Sequence, residues 1–296
     1  MRLLSYAAQG GARLGVLAPD QTIVDVDALL DERYPTMLAL IDAGPAAWSR
    51  LARAAGRAAA GTPLASAGLL APITRPRRNV FCVGWNYAEH FQEGRRAHGG
   101  GPEVPEHPAF FSKNPGTVVG HEAPVWHSAP HSKQLDWEVE LAVVIGRAGR
   151  DIPEEHALQF VFGYTVANDV SVRDVQRGHG GQWFKWKNFD THLPLGPWVV
   201  TADELPDARG LRITSRINGM TKQDSSTAHM VFSVARIISE LSAGLALEPG
   251  DVVITGTPEG VGFARTPPEF LQVGDVMEME IEGIGVLRNA VRSFPR

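Results

Sequence analysis

Short apolar runs broken by turn signals dominate the chain, and only two stretches repeat at a helical interval. The run "LDWEVELAVVIG" (135–146) sets the pattern. Val139, Leu141, Val143 and Ile145 take one parity, and Ala142 and Val144 take the other. Successive side chains of a strand point to opposite faces. Glu138 and Glu140 share the second parity, so both carboxylates are expected on one face of a strand that is otherwise core. "RNVFCVGWNY" (78–87), "AFFSKNPGTVVG", "FVFGYTVANDVSV", "LGPWVV" and "LRITSRING" read as further strands, and "VGDVMEMEIEGIGVL" as a closing hairpin. "SVARIISELSAG" (233–244) has apolar residues at helical spacing, with Gly244 as terminator.

The beginning of the chain is patterned differently. Residues 1–30 hold strand-like runs around the turn "APDQ", whereas residues 36–60 are Ala- and Leu-rich and predict one or two helices. "APITRPRRN" (71–79), with its prolines and arginines, reads as a linker. A small N-terminal α+β domain over 1–72 and a larger domain over 73–296 follow. Residues 92–108 are polar and rich in Gly and Pro, and predict a mobile loop long enough to carry function. With many strands and few helices, the fold class expected is α+β, β-rich and largely antiparallel.

Composition narrows the partners. A formal charge of -5 with no block of like charge sets aside nucleic acid and an anionic membrane surface. Cys82 is the sole cysteine, which excludes an intrachain disulfide and a thiolate metal cluster. "MRLLSYAAQGG" has too short an apolar run for a signal peptide, and no stretch is long enough to span a bilayer. A soluble, cytoplasmic protein acting on a small molecule is the expectation.

Two like charges beside a core run require either protonation of one or a cation between them. Hard oxygen ligands suit Mg²⁺, and Asp169, at the end of the apolar run "YTVAND", is the candidate third ligand. The plainer reading is a half-exposed edge strand with both glutamates in water. Glu278, Glu280 and Glu282 provide an internal control. They alternate with Met277, Met279 and Ile281 before glycines, as in a solvated surface hairpin. His121, His127 and His131 are close in sequence but match no helical ligand spacing and are interrupted by prolines, which argues against zinc. "TGTPEGVG" matches neither a dinucleotide nor a Walker glycine pattern.

Acid–base candidates lie nearby. His90 and Glu93, in "GWNYAEHFQEGRR", are three apart. On a helix they share a face, and the carboxylate can orient the imidazole as a general base. Arg173 and Gln176 follow Asp169 by four and seven residues, on a shared face if that run is helical. Lys187 stands between Trp186 and Phe189 in an unusual setting for a solvated lysine. Lys185 is its nearest rival, and Asp190 is a possible partner for either.

The order "GWNYAEHFQE", "FFSKNPGTVVG", "LDWEVELAVVIG", "NDVSVRDVQ", "KNFD", "PLGPWV", "INGMTKQD", "VARIISELS", "GDVVITGTPEGVG" resembles the fumarylacetoacetate hydrolase family over roughly residues 78–290. That resemblance implies a distorted β-roll and a homodimer. It implies that Glu138, Glu140 and Asp169 bind Mg²⁺ or Mn²⁺ and that His90 and Glu93 form a lid dyad activating water. Lys187, Arg173 and Gln176 then hold the carboxylate and carbonyl oxygens of substrate, Thr257 contacts substrate from the Gly-rich loop, and Lys113 matches a recurrent family lysine. Departures at Asn114, Gly116, Lys185, Trp186 and His229 put substrate identity in question. The activity implied is metal-dependent hydrolysis of a C–C bond in a 3-acylpyruvate or related 2,4-diketo acid, as in the breakdown of aromatic compounds. The same site serves the alternatives, an oxaloacetate-type decarboxylase or an isomerase of a 2-oxo acid.

Overall fold

The computed structural model describes residues 1–56, 61–97, 105–176 and 178–295. The run that sets the sequence pattern forms two strands, Leu135–Asp136 and Val139–Ile145, with Trp137 and Glu138 between them. Every residue of Val139–Ile145 is buried, and parity divides them between two cores. Val139, Leu141, Val143 and Ile145 pack with Met277, Met279, Ile281 and Leu287. Ala142 and Val144 pack with Leu3, Met37, Leu40, Val80 and Cys82 on the opposite side. A strand covered on both faces reads as a continuous apolar run, which is why the two glutamates stand out in it.

The main sheet runs in the order Thr62–Pro63, Thr22–Asp25, Gly11–Leu17, Arg2–Ala8, Leu193–Thr201, Val161–Asn168, Val139–Ile145, Val252–Ile254, Val80–Gly84, Ala109–Lys113. Adjacent strands along this order are antiparallel except Val252–Ile254 beside Val80–Gly84. A second sheet orders Met220–Ser226, Arg212–Ile217, Val276–Ile281, Gly285–Ser293 and Val125–His127. The core containing Leu141 lies between the two sheets. The fold is therefore a strand-rich α+β one, as the patterning predicts.

Strands from residues 1–72 extend the main sheet. Arg2–Ala8 pairs with Leu193–Thr201, with Leu3 opposite Val199. The helices Met37–Asp42, capped by Thr36, and Gly44–Ala55 bury Leu40, Ile41 and Leu51 against the Ala142 face. The expected linker is packed. Ile73 is buried, and Arg78 pairs with Asp251 and donates to the Ala246 carbonyl.

Helix Val234–Ser242 begins where Ser233 accepts the Arg236 N–H and buries Ile237, Ile238 and Leu241. The hairpin glutamates behave as the control reading has them. Met277, Met279 and Ile281 are buried, while Glu278 and Glu280 pair with Arg216 at the surface. Two expectations are corrected. Residues 92–97 are not loop but the second half of helix Ala88–Ala97, and 98–104 lie outside the described residues. Residues 169–176 are not one helix. They form the short strand Ser171–Val172 and a single 3₁₀ turn, Arg173–Val175, because Ser171 and Val172 pair with Asp136 and Leu135. Among the described residues, no helix is long and apolar enough to cross a membrane.

Candidate active site

Three adjacent strands of the main sheet finish at one edge. Val139 sits opposite Asn168, and Ala142 opposite Ile254. The start of Val139–Ile145 therefore meets the end of Val161–Asn168 and the loop after Val252–Ile254. This register brings Glu138 and Glu140 to Asp169, whose backbone N–H donates to the Glu138 carbonyl at 2.9 Å. All three are buried, and one oxygen from each lies within 4.8 Å of the others. No other described group of three His, Cys, Asp or Glu residues converges in this way. The histidines His121, His127 and His131 do not.

A fourth carboxylate, Asp136, closes the cluster. It accepts the Gly262 N–H at 2.7 Å and the Trp137 N–H at 2.8 Å on one oxygen, and Arg173 Nε at 2.9 Å on the other. Arg173 Nη2 reaches Glu138 Oε1 at 2.5 Å, with the guanidinium over the Phe263 ring. Lys187 Nζ bridges Glu138 Oε2 at 2.7 Å and Asp169 Oδ2 at 2.5 Å. Lys113, fully buried, donates to Asp169 Oδ1 at 2.7 Å and to the Val170 carbonyl at 3.1 Å. Four buried acids thus face three buried bases, leaving one formal negative charge.

Glu140 carries the imbalance. Its recorded hydrogen bond is the Gly256 N–H at 2.7 Å. Burial, then the Asp169 and Glu138 carboxylates, push its pKa well above the ordinary glutamate value. Burial acts the same way on Glu138, but Lys187 and then Arg173 outweigh it and hold that carboxyl well below the usual range. Burial likewise opposes the Lys187 ammonium, and the Asp169 and Glu138 carboxylates overcome it and raise its pKa. Three convergent carboxylates with surplus negative charge are a donor set that fits a hard divalent cation.

His90 and Glu93 stand on helix Ala88–Ala97, His90 Nδ1 2.9 Å from Glu93 Oε1. Both Glu93 oxygens also accept the Gly260 N–H, at 3.1 and 2.9 Å, which ties this helix to the loop following Val252–Ile254. Gly260 is required there. Its φ is +97°, and a Cβ would lie 2.2 Å from the Lys222 carbonyl oxygen. We expect Gly260→Ala to cost about 1–3 kcal/mol of stability, the scale of such backbone strain. It should also lower kcat/KM while metal binding persists, as thermal unfolding and metal titration would show.

A cavity of about 120 Å³ opens over the carboxylates. His90, Glu138, Glu140, Asp169, Arg173, Gln176, Lys187 and Thr257 line it, with Trp85, Phe91, Phe111, Trp183 and Trp186 as the apolar wall. Thr257 Oγ1 donates to the Val139 carbonyl at 2.9 Å and accepts from Gln223 at 2.8 Å. Lys113 stands behind Asp169 and does not line the cavity. Lys185 lies outside it, over the Phe189 ring, and Asp190 pairs with neither lysine among the described residues. His229 is at the surface beside Ser225. Asp136 was missed by sequence reasoning, although it shares the parity of Glu138 and Glu140.

The fold and site define a class of strand-rich protein with three convergent buried carboxylates, a donor set that fits a divalent cation, and a hydrogen-bonded His–Glu pair whose imidazole lines the same cavity. Residues 79–292 match the fumarylacetoacetate (FAA) hydrolase C-terminal family, and the chain belongs to the fumarylacetoacetate hydrolase family. A Bos taurus protein named oxaloacetate tautomerase FAHD2A, mitochondrial, is 41% identical over 295 residues, covering 98% of this chain and 91% of its own. The crystal structure of a putative HpcE protein from Mycobacterium smegmatis superposes with a TM-score of 0.86 at 37% identity, covering 100% of both chains. That of maleylpyruvate hydrolase from Sphingobium sp. SYK-6, in complex with manganese(II) ion and pyruvate, gives 0.80 at 30% identity, covering 100% of both.

Proposed function

We propose that the protein is a tautomerase of a short 2-oxo diacid, interconverting the enol and keto forms of oxaloacetate or a close analogue. The observation that carries this reading is the cavity. It joins three carboxylates and a buried lysine in about 120 Å³, well below the roughly 300–1,000 Å³ of sites for drug-sized ligands. The relatives named as oxaloacetate tautomerases, similar along nearly the whole chain, support it.

Glu138, Glu140 and Asp169 would hold Mg²⁺ or Mn²⁺. When bound, such an ion supplies Lewis-acid polarisation of the 2-oxo acid oxygens. Lys187 has three N–H donors, and two are accounted for by Glu138 and Asp169. The third has no hydrogen-bond acceptor among the described residues, where the ammonium lies over the Trp186 and Phe111 rings, and in our reading it holds the negative charge that develops on the enolate oxygen. His90, oriented through Nδ1 by Glu93, leaves Nε2 to carry a proton between that oxygen and the substrate carbon. Gln176 and Thr257 position substrate from the cavity wall. Arg173 is committed to Asp136 and Glu138, and Lys113 to Asp169. In our reading, these two orient the carboxylates, with Arg173 also presented to the substrate.

The test follows decay of the enol absorbance of oxaloacetate with Mg²⁺, with Mn²⁺ and after chelation, beside pyruvate release from oxaloacetate and from an acylpyruvate. Metal-dependent enol decay faster than any pyruvate release supports the tautomerase. Predominant acylpyruvate cleavage supports the second reading, C–C hydrolysis. That reading is favoured by the His90–Glu93 pair, which suits activation of water, and by the similarity to maleylpyruvate hydrolase. In either case His90→Gln is expected to lower turnover about 10²–10⁴-fold, the usual contribution of a positioned general base. Metal binding, measured by calorimetry, should be retained. Wild-type turnover by this variant would remove His90 from the mechanism.

A further inference from the structure

We propose that Arg95 is the specificity-determining residue that receives the distal carboxylate of a dicarboxylic substrate. The inference rests on the reading of the cavity as a 2-oxo acid site. On helix Ala88–Ala97, residues His90, Phe91, Gly94 and Arg95 all line the cavity. Their spacing places them on one helical face, so the helix that presents the imidazole also presents Arg95, whose backbone position is about 7.5 Å further along the axis. Gly94 keeps the intervening space open, because a Cβ there would meet only Phe263 Cζ, at 3.8 Å. A cation near a helix C-terminus is favoured for its own sake, and Arg96 meets that preference too, but Arg96 is exposed and does not line the cavity.

Arg95 differs from the other cations of the cavity in its commitments. Arg173 and Lys187 each bridge two carboxylates. Arg95 has no ion pair among the described residues, and its recorded contact is the Phe91 ring, 6.0 Å from the guanidinium carbon. Charge balance gives it a purpose. The buried cluster carries one net negative charge, which a dication converts to one net positive charge. The carboxylate of a monocarboxylic 2-oxo acid neutralises that. A second carboxylate restores a negative charge in a cavity walled by aromatic rings, where an unpaired charge is costly. Arg95 supplies the cation the second carboxylate needs, and a guanidinium can grip it with two N–H donors.

The matched inert ligands L-malate and L-lactate differ in the distal carboxylate and separate this idea from the assignment of the reaction. With the Mg²⁺-loaded protein, calorimetry should show malate bound more tightly than lactate. Arg95→Met should weaken malate about tenfold or more, the loss typical of a hydrogen-bonded charge, and leave lactate unchanged. Arg95→Lys should restore part of the difference. In turnover, Arg95→Met should raise KM for oxaloacetate with little change in kcat. Equal binding of malate by the parent and Arg95→Met, or equal weakening of malate and lactate, overturns the proposal even if the parent tautomerises oxaloacetate. Selective loss of malate binding supports it even if the parent shows no such activity, in which case it is the assigned reaction that fails.

Discussion

Glu140→Gln is expected to lower metal-dependent turnover by orders of magnitude while leaving the metal-free protein at least as stable as the parent. Both halves follow from the same charge balance. Glu140 is buried in a cluster that already holds one more acid than base, and burial and its acidic neighbours push its pKa upward. A neutral amide keeps an oxygen to accept the Gly256 N–H and removes the surplus charge, so the metal-free fold loses nothing and sheds repulsion. The amide is also a poor ligand for a hard dication. The parent should gain about 2.7 kcal/mol of stability when Mg²⁺ or Mn²⁺ is supplied at a hundred times its Kd, and the variant much less. Turnover should fall about a thousandfold, roughly 4 kcal/mol, within the several kcal/mol that a cation's charge stabilisation supplies. Thermal unfolding with and without metal, together with the enol-decay assay, reads both effects. A variant stabilised by metal as strongly as the parent would show that Glu140 is not a ligand.

The centre of this site was legible because its signal is local. A strand buried on both faces tolerates no charge without a partner, so two glutamates of one parity within "EVELAVVI" are anomalous, and Asp169 ends the neighbouring apolar run. The contrasting "MEMEI" run was legible for the same reason, since its glutamates oppose a single buried face. What the sequence hides is the pairing of distant elements. Arg173 looks like a free substrate cation until the pairing of Leu135–Asp136 with Ser171–Val172 brings it to Asp136. Lys113 is taken up by Asp169 across 56 positions of the chain. Helix Ala88–Ala97 escapes a pattern search beyond His90 and Glu93. It buries only His90 and Phe91, carries Gly94 inside it, and reaches the rest of the fold through the Phe91 ring against Trp85 and through Glu93 and the Gly260 N–H. The same helix presents Arg95, so the least legible element carries the group to which we assign selectivity.

Lys187→Met is expected to shift stability in the opposite direction to Glu140→Gln. Lys187 is the base shared by Glu138 and Asp169, at 2.7 and 2.5 Å, and its side chain is 3% exposed. Its loss raises the buried imbalance from one negative charge to two. Each carboxylate keeps one base, Arg173 for Glu138 and Lys113 for Asp169. The metal-free variant should therefore be less stable by about 3 kcal/mol, the lower end of what breaking a buried ion pair costs. A dication offsets part of that charge, so metal should stabilise this variant more than it stabilises the parent. Turnover should still fall about 10²–10³-fold, as when one preorganised donor to a developing oxyanion is removed, because added metal does not replace the N–H to which we assign the enolate oxygen. The two variants thus make opposed demands on one pair of measurements, unfolding with and without Mg²⁺. If metal-free Lys187→Met were as stable as the parent, the surplus negative charge on which we base a cation site at this edge of the sheet would not exist.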